Sequence, residues 1–158
     1  MNGVMIFITY LGNWQTIVGL GIVALVILWR LNKKREAGFF VVALISGEII
    51  KELLKLLFHK ERPDASLALI QESGYAFPSG HAFMSVIFYG MLCYFIYRAR
   101  ENKWQKIILL IATIILIFLI GYSRVYLGVH WISDVIAGWL IGGAMLAFFI
   151  VKLKNIKS

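Results

Sequence analysis

Apolar runs close to membrane-spanning length alternate with short polar connections along the whole chain. A helix needs about 20 mainly apolar residues to cross a bilayer. Runs of this kind predict five transmembrane helices, at residues 15–29, 37–58, 78–97, 107–122 and 130–151. Residues 1–13 are also apolar but have no basic start, so they do not resemble a cleaved signal peptide. We interpret them as an interfacial segment or as the first turns of the first span.

The composition agrees with this pattern. Hydrophobic residues make up 61% and charged residues 15% of the 158 positions, whereas a soluble domain has about 45–50% and about 25%. The chain is therefore predicted to be an all-α, polytopic membrane helix bundle that forms one domain over residues 1–158. Its single cysteine, Cys93, lies inside an apolar run and permits no internal disulfide.

The basic residues mark alternate connections. Residues 30–36, 98–106 and 152–158 hold four, four and three of the 16 lysines and arginines. By the positive-inside tendency these segments, and with them the C-terminus, are cytoplasmic. The N-terminus, the loop at 59–77 and the turn at 123–129 then face the extracytoplasmic side of the cell membrane. Topology thus explains the net charge of +8, and no nucleic-acid partner is predicted.

Residues 123–134 carry three charged or ionisable side chains at the edge of the bilayer: Arg124, His130 and Asp134. If the last helix begins near His130, Asp134 lies one turn further on the same face. A carboxylate placed there can hold one ring nitrogen and leave the other free to act as nucleophile or base. Arg124 would be an anion clamp close by. The same spacing also occurs as a structural hydrogen bond, so the pair alone leaves both interpretations open.

Two further cations belong to the same predicted side of the membrane. Lys55 and Arg62 are seven residues apart and can face one way if the second helix continues, although Pro63 favours an end near Arg62. Snorkelling to the interface, or pairing with Glu48 or Glu52, explains Lys55 equally well.

A helix start completes the candidate site. Pro78 and Ser79 suit the first turn of a helix, whose free N–H groups bind anions, and Gly80 allows a close backbone approach. These residues suit a tetrahedral oxyanion: the cations and the helix N-terminus can bind it, and the two histidines can carry out a reaction on it. His130, with its carboxylate partner, suits a nucleophile, and His81 suits a general acid. The chain has no cysteine cluster or carboxylate cage for a metal. The sequence therefore predicts a phosphohydrolase without metal or other cofactor.

The candidate residues resemble the three-part signature of the type 2 phosphatidic acid phosphatase superfamily: Lys55-x6-Arg62-Pro63, Pro78-Ser79-Gly80-His81 and Ser123-Arg124-x5-His130-x3-Asp134. Members include bacterial phosphatidylglycerophosphatase B and undecaprenyl diphosphate phosphatases. The resemblance implies that His130 attacks phosphorus to give a phosphohistidine and that Asp134 orients it. It implies that His81 protonates the leaving oxygen and then activates water. It also implies phosphoryl-oxygen binding by Lys55, Arg62, Ser79, Gly80 and Arg124.

The resemblance has one departure. Many bacterial members have six spans, whereas five are predicted here, as if the first helix were missing or reduced to residues 1–13. The charged residues outside the signature are interpreted as interface charges or as tuning of the site: Glu48, Lys51, Glu52, His59, Lys60 and Glu61. Gly138 and Gly142 form a small-xxx-small pair that suits close helix packing.

The predicted partners are a lipid phosphate substrate and the surrounding membrane lipids. Phosphatidylglycerophosphate, undecaprenyl diphosphate, phosphatidic acid and lipid A 1-phosphate all fit, and the oligomeric state is left open. A rival hypothesis is a membrane transporter that uses the same cations as an anion path. It would need polar residues at the bilayer midplane and often an inverted repeat, neither of which the sequence shows. A vanadate-dependent haloperoxidase is disfavoured by the membrane spans.

Overall fold

The structure, a computed structural model, describes residues 2–155, so Met1 and residues 156–158, including Lys157 of the basic tail, lie outside it. Within the described residues the fold is all-helical, as predicted, and contains no strand. Six α-helices follow one another, with one 3₁₀ turn at Ala65–Leu67: α1 (Asn2–Tyr10), α2 (Trp14–Arg30), α3 (Lys34–Phe58), α4 (Gly80–Ala99), α5 (Lys103–Tyr126) and α6 (Ile132–Asn155).

Three of the described helices, α4, α5 and α6, are long and apolar enough to cross a membrane. Helices α1 and α2 meet at an angle of 47° and make a fourth candidate if they are counted together as one broken span. Residues 2–10 are therefore a short helix of their own. Helix α3 has 25 residues, or about 37 Å of helix, but carries Glu48, Lys51, Glu52 and Lys55 in its second half. The count of five spans stays a prediction, because α3 is too polar to qualify by composition.

The turn before α6 is shorter than predicted. Helix α5 runs to Tyr126, so Ser123 and Arg124 are helical and do not belong to a turn at 123–129. Residues 123–127 contain no glycine or proline, and Gly128, with a φ of +75°, follows the end of the helix. The last helix, predicted to begin near His130, begins two residues later. The Asp134 carboxylate accepts a hydrogen bond from the Trp131 amide at 2.9 Å, and α6 begins at Ile132.

Helix α4 forms the centre of the bundle and packs against α3, α5 and α6. Phe83, Ile87 and Met91 on this helix are completely buried. The contact between α4 and α6 is a backbone approach: a Cβ added to Gly142 would lie 2.7 Å from the Phe83 carbonyl oxygen. The predicted role of the small-xxx-small pair in close helix packing is confirmed.

The basic connections meet at one end of the bundle. Arg35 in the first turn of α3, Arg98 at the end of α4 and Lys154 at the end of α6 line a single groove. The opposite end carries the loop between α3 and α4 and the turn between α5 and α6. These two segments are joined by a hydrogen bond from the Leu69 amide to the Leu127 carbonyl at 3.0 Å. The charge segregation inferred from the sequence therefore corresponds to two distinct ends.

Candidate active site

A cavity of about 580 Å³ opens at the end opposite the basic groove. Five of the eight predicted site residues line it: Lys55, Arg62, Gly80, His81 and His130. The remaining three, Ser79, Arg124 and Asp134, are 0%, 1% and 0% exposed and lie behind this lining. The three sequence blocks are thus brought together around one space.

His130 is held between a guanidinium and a carboxylate. Its Nε2 lies 3.2 Å from Nη1 of Arg62, and its Nδ1 lies 3.6 Å from Oδ2 of Asp134. A guanidinium has only donors, so the nitrogen that faces Arg62 carries the lone pair, and the proton sits on Nδ1. Burial lowers the pKa of His130 from its ordinary value of 6.5, and the nearby positive charges of Arg62 and Arg124 act in the same direction. The neutral imidazole therefore presents an unprotonated nitrogen to the cavity.

Asp134 is shared between His130 and a lysine outside the family signature. Lys60 donates to its Oδ1 at 2.5 Å and to Ser133 Oγ at 2.9 Å. The backbone carbonyl of Asp134 accepts a hydrogen bond from the Ser79 amide at 3.0 Å. The beginnings of α4 and α6 are therefore joined at Asp134, the residue whose carboxylate faces His130.

Arg124 is anchored from two sides. Its Nη1 donates to Thr9 Oγ1 of α1 at 2.7 Å, and its Nη2 donates to the carboxylate of Glu72. Glu72 also lies 4.0 Å from Nη2 of Arg62 and lines the cavity. A carboxylate thus stands between the two arginines that the sequence assigns to phosphoryl oxygens.

Arg62 is fixed by the loop that surrounds it. Its Nε donates to the Gly74 carbonyl at 2.9 Å, and its two terminal nitrogens donate to the carbonyls of Val129 and Ser73 at 2.9 and 3.0 Å. These bonds hold the guanidinium at the mouth of the cavity and connect the loop to the residue before His130.

His81 has no carboxylate partner among the described residues, but it has an amide partner. Its Nε2 lies 2.6 Å from Oδ1 of Asn13, in the bend between α1 and α2. The neighbouring Gly12 packs so closely that an added Cβ would be 2.8 Å from Cδ2 of the His81 ring. The bend therefore positions the second histidine.

Three polar atoms around the site are buried without a hydrogen-bond partner in the described part of the chain: Ser79 Oγ, Arg124 Nε and His130 Nδ1. Nδ1 of His130 faces the Asp134 carboxylate, at a distance slightly longer than a hydrogen bond. Most buried polar atoms in proteins are paired, so the other two atoms mark a place where a ligand or water belongs. The first N–H groups of α4, beside Gly80, add further donors, since a helix start leaves its own amides free.

For Lys55 the sequence left open a role in the site and pairing with a nearby glutamate, and the structure shows contacts of both kinds. Its ammonium lies 3.8 Å from Glu52, and its side chain also lines the cavity. Lys51, which was interpreted as an interface charge or as tuning, lines the same cavity and pairs with Glu48 at 2.5 Å and with Glu52 at 3.0 Å. Two lysines therefore face the polar end of the cavity from α3.

The other wall of the cavity is apolar. It is formed by residues of α2 and α3 that include Ile17, Val18, Ile22, Leu44 and Ile45. The cavity therefore joins a cationic end to a hydrocarbon surface between two helices.

Sequence reasoning missed the contacts of Thr9, Asn13 and Glu72, and it placed Lys60 only among interface charges or charges that tune the site. An asparagine between two apolar helices and a lone glutamate in the loop were weak signals, because neither has a fixed spacing to the signature. Among residues 2–155, no three His, Cys, Asp or Glu side chains come together as a possible metal site.

The sequence profile of the PAP2 superfamily matches residues 36–157, which covers every predicted site residue. The chain belongs to the PAP2 superfamily. This confirms the resemblance inferred from the three sequence blocks, and the chain is accordingly an enzyme of the phosphatase class.

Individual relatives agree with this assignment. The chain is 32% identical to phosphatidylglycerophosphatase B of Bacillus subtilis over 96% of its own length and 74% of the relative. It is 31% identical to an undecaprenyl-diphosphatase of Sulfolobus acidocaldarius over 98% and 71%. The crystal structure of a transmembrane PAP2-type phosphatidylglycerolphosphate phosphatase from Bacillus subtilis superposes with a TM-score of 0.92, at 27% identity, over 99% of this chain and 78% of that one. The PAP2 fold of the relatives and the apolar helices make this a membrane protein.

Proposed function

We propose that this PAP2 protein removes a phosphoryl group from a membrane lipid through a phosphohistidine intermediate, without a metal ion. The observation that carries the proposal is the mixed character of the cavity. Lys55, Arg62 and His130 line its polar end, whereas α2 and α3 supply an apolar wall. A lipid phosphate needs both surfaces, because its head is a dianion and its chains are hydrocarbon.

In the proposed first step, Nε2 of His130 attacks phosphorus and the bond from phosphorus to the leaving oxygen breaks. Asp134 keeps the Nδ1 proton in place and stabilises the positive charge that the ring gains. The phosphoryl oxygens replace the lone pair of Nε2 as the partner of Arg62, whose charge, together with that of Arg124, stabilises the transition state.

His81 gives its proton to the leaving oxygen in this step. In the second step it takes a proton from water, which attacks phosphorus and breaks the bond from phosphorus to His130. Asn13 is placed to hold the ring during both transfers. The N–H groups at the start of α4 and the hydroxyl of Ser79 are donors to the phosphoryl oxygens.

We infer that the protein forms one domain in the cell membrane, with α3 as a further span. The cavity then opens on the extracytoplasmic side, and the basic connections and the C-terminus are cytoplasmic. The distribution of lysine and arginine supports this orientation.

The names of the relatives narrow the substrate class. They include phosphatases of phosphatidylglycerophosphate, of undecaprenyl diphosphate and of dolichyl diphosphate. A lipid with a terminal phosphate, as monoester or diphosphate, is common to all three and is the substrate class proposed here.

The test is phosphate release from a panel of such lipids by the purified protein in detergent with EDTA. His130→Ala is compared with wild type, and Ser66→Ala, a change in the loop outside the cavity, serves as the matched control. Release that survives EDTA in wild type and in the control but is lost in His130→Ala supports the mechanism. Folded wild-type protein that releases phosphate from no lipid would reject the function, and release lost with EDTA would reject the metal-free step.

A further inference from the structure

The groove at the basic end is a second cavity, separate from the catalytic one. It has a volume of about 770 Å³ and shares no lining residue with the catalytic cavity. It lies between α5 and α6 and has the end of α4 as its floor. No histidine or carboxylate is among its lining residues, so it lacks the means for phosphoryl transfer.

Two cations are gathered at one aromatic ring in this groove. The guanidinium of Arg98 lies 5.9 Å and the ammonium of Lys154 lies 6.0 Å from the centre of the Tyr94 ring. Arg98 also donates to the Tyr94 hydroxyl at 3.4 Å. Neither Arg98 nor Lys154 forms a salt bridge with a carboxylate of the described residues. Two adjacent like charges without a counter-charge repel each other, and an anion between them would offset this repulsion.

The wall that leads away from these cations is hydrocarbon. Leu110 and Ile114 of α5 are 42% and 64% exposed and face the groove together with Leu146 and Ile150 of α6. A small soluble anion would leave this wall uncovered. An acyl chain would cover it while the head of the same molecule meets the cations.

We propose that the groove binds one anionic phospholipid of the membrane. The phosphodiester of the head contacts Arg98 and Lys154 from the ends of two different helices, and one acyl chain lies between α5 and α6. Basic pockets between transmembrane helices are suited to this use, because each Lys or Arg near a lipid surface attracts anionic heads and the helices supply the apolar contact. The bound lipid then joins α4 to α6 at the end far from the catalytic site.

The test uses the full chain in neutral detergent, titrated with dioleoyl phosphatidylglycerol or with dioleoyl phosphatidylcholine. Bound lipid is counted by native mass spectrometry, and the melting temperature is recorded in parallel. The test variant is Arg98→Gln with Lys154→Gln. The matched control is Arg100→Gln with Lys152→Gln, which removes the same charge from the same two helix ends but from residues that do not line the groove.

We expect phosphatidylglycerol to bind wild type and control at one molecule per chain and to raise their melting temperatures. In the test variant the apparent affinity falls roughly tenfold or more, since two charge contacts are lost. Equal losses in both double variants would show an unspecific surface effect and overturn the proposal, as would equal binding of phosphatidylcholine by wild type. If a variant does not fold, the proposal is still tested by comparing the binding of phosphatidylglycerol and phosphatidylcholine to the wild-type protein. Phosphate release in the same preparations reports the catalytic function separately.

Discussion

Replacing Gly138 by alanine probes the contact on which the catalytic geometry depends. A Cβ at this position would lie 2.9 Å from the Ser79 carbonyl oxygen and 3.1 Å from the Phe83 amide nitrogen. Both atoms belong to the backbone at the start of α4, so no side chain can turn away to make room. Helix α6 would have to move by a few tenths of an ångström from α4.

The structure sets the size of the effect. Overpacking of this kind costs about 1–3 kcal/mol, and the better helix propensity of alanine returns up to about 1 kcal/mol. We therefore expect a net loss of roughly 1–2 kcal/mol. The same movement displaces Asp134, whose carbonyl is bonded to the Ser79 amide at 3.0 Å. Because a misplacement of about 1 Å can lower a rate by about a hundredfold, a shift of a few tenths should lower kcat by roughly three- to tenfold.

The measurement combines thermal unfolding in detergent with phosphate release from the preferred lipid. Gly143→Ala is the matched control, because a Cβ added there meets nothing within 4 Å. It should retain wild-type kcat and equal or slightly higher stability. If Gly138→Ala matched the control in both stability and kcat, the close approach of α4 and α6 would not position the site, and this reasoning would be wrong.

Three further predictions concern charge at the site. Because burial lowers the pKa of His130 below 6.5, the acidic limb in the pH profile of kcat/KM should have its midpoint below pH 6.5. A midpoint above that value would contradict an unprotonated nucleophile at neutral pH. Lys60→Gln removes a positive charge that competes with His130 for the Asp134 carboxylate, so the pKa of His130 should rise and the acidic limb should move to higher pH. The rate at pH 5.5 should then fall on the order of threefold, whereas Lys60→Arg should resemble wild type. Glu72→Gln removes the carboxylate that neutralises Arg124, so inorganic phosphate can bind there without competition and should inhibit lipid hydrolysis several-fold more strongly. Unchanged inhibition would show that Glu72 does not compete with phosphate for the anion site.

The sequence predicted which signature residues come together around the cavity, but not the residues that hold them in place. Arg124, His130 and Asp134 were recognisable because ionisable side chains are rare in an apolar chain and tend to mark function. The contact between Asn13 and His81 joins positions 68 residues apart, and that between Thr9 and Arg124 joins positions 115 apart. Such contacts depend on how the helices pack, which local pattern does not encode.

The error at the end of α5 has a similar cause. Polar residues from Ser123 onward suggested a turn, but they belong to a helix whose polar side chains are buried against α1 and the loop. Polarity indicates a connection only when the side chains face water, and Arg124 is 1% exposed. The helix ends at Tyr126, two residues before the positive φ of Gly128, and not where the composition changes.

The charged second half of α3 has a consequence for synthesis of the protein. During translation this helix emerges before α4, α5 and α6 exist to cover it, and each charge near the centre of a nascent span opposes insertion by about 2.5–3.5 kcal/mol. Lys51 is paired with Glu48 and Glu52 on the helix itself, which offsets part of this penalty. We therefore expect α3 to remain at the translocon and to enter the bilayer together with α4, so that Lys55 reaches its final depth only after α4 has been synthesised.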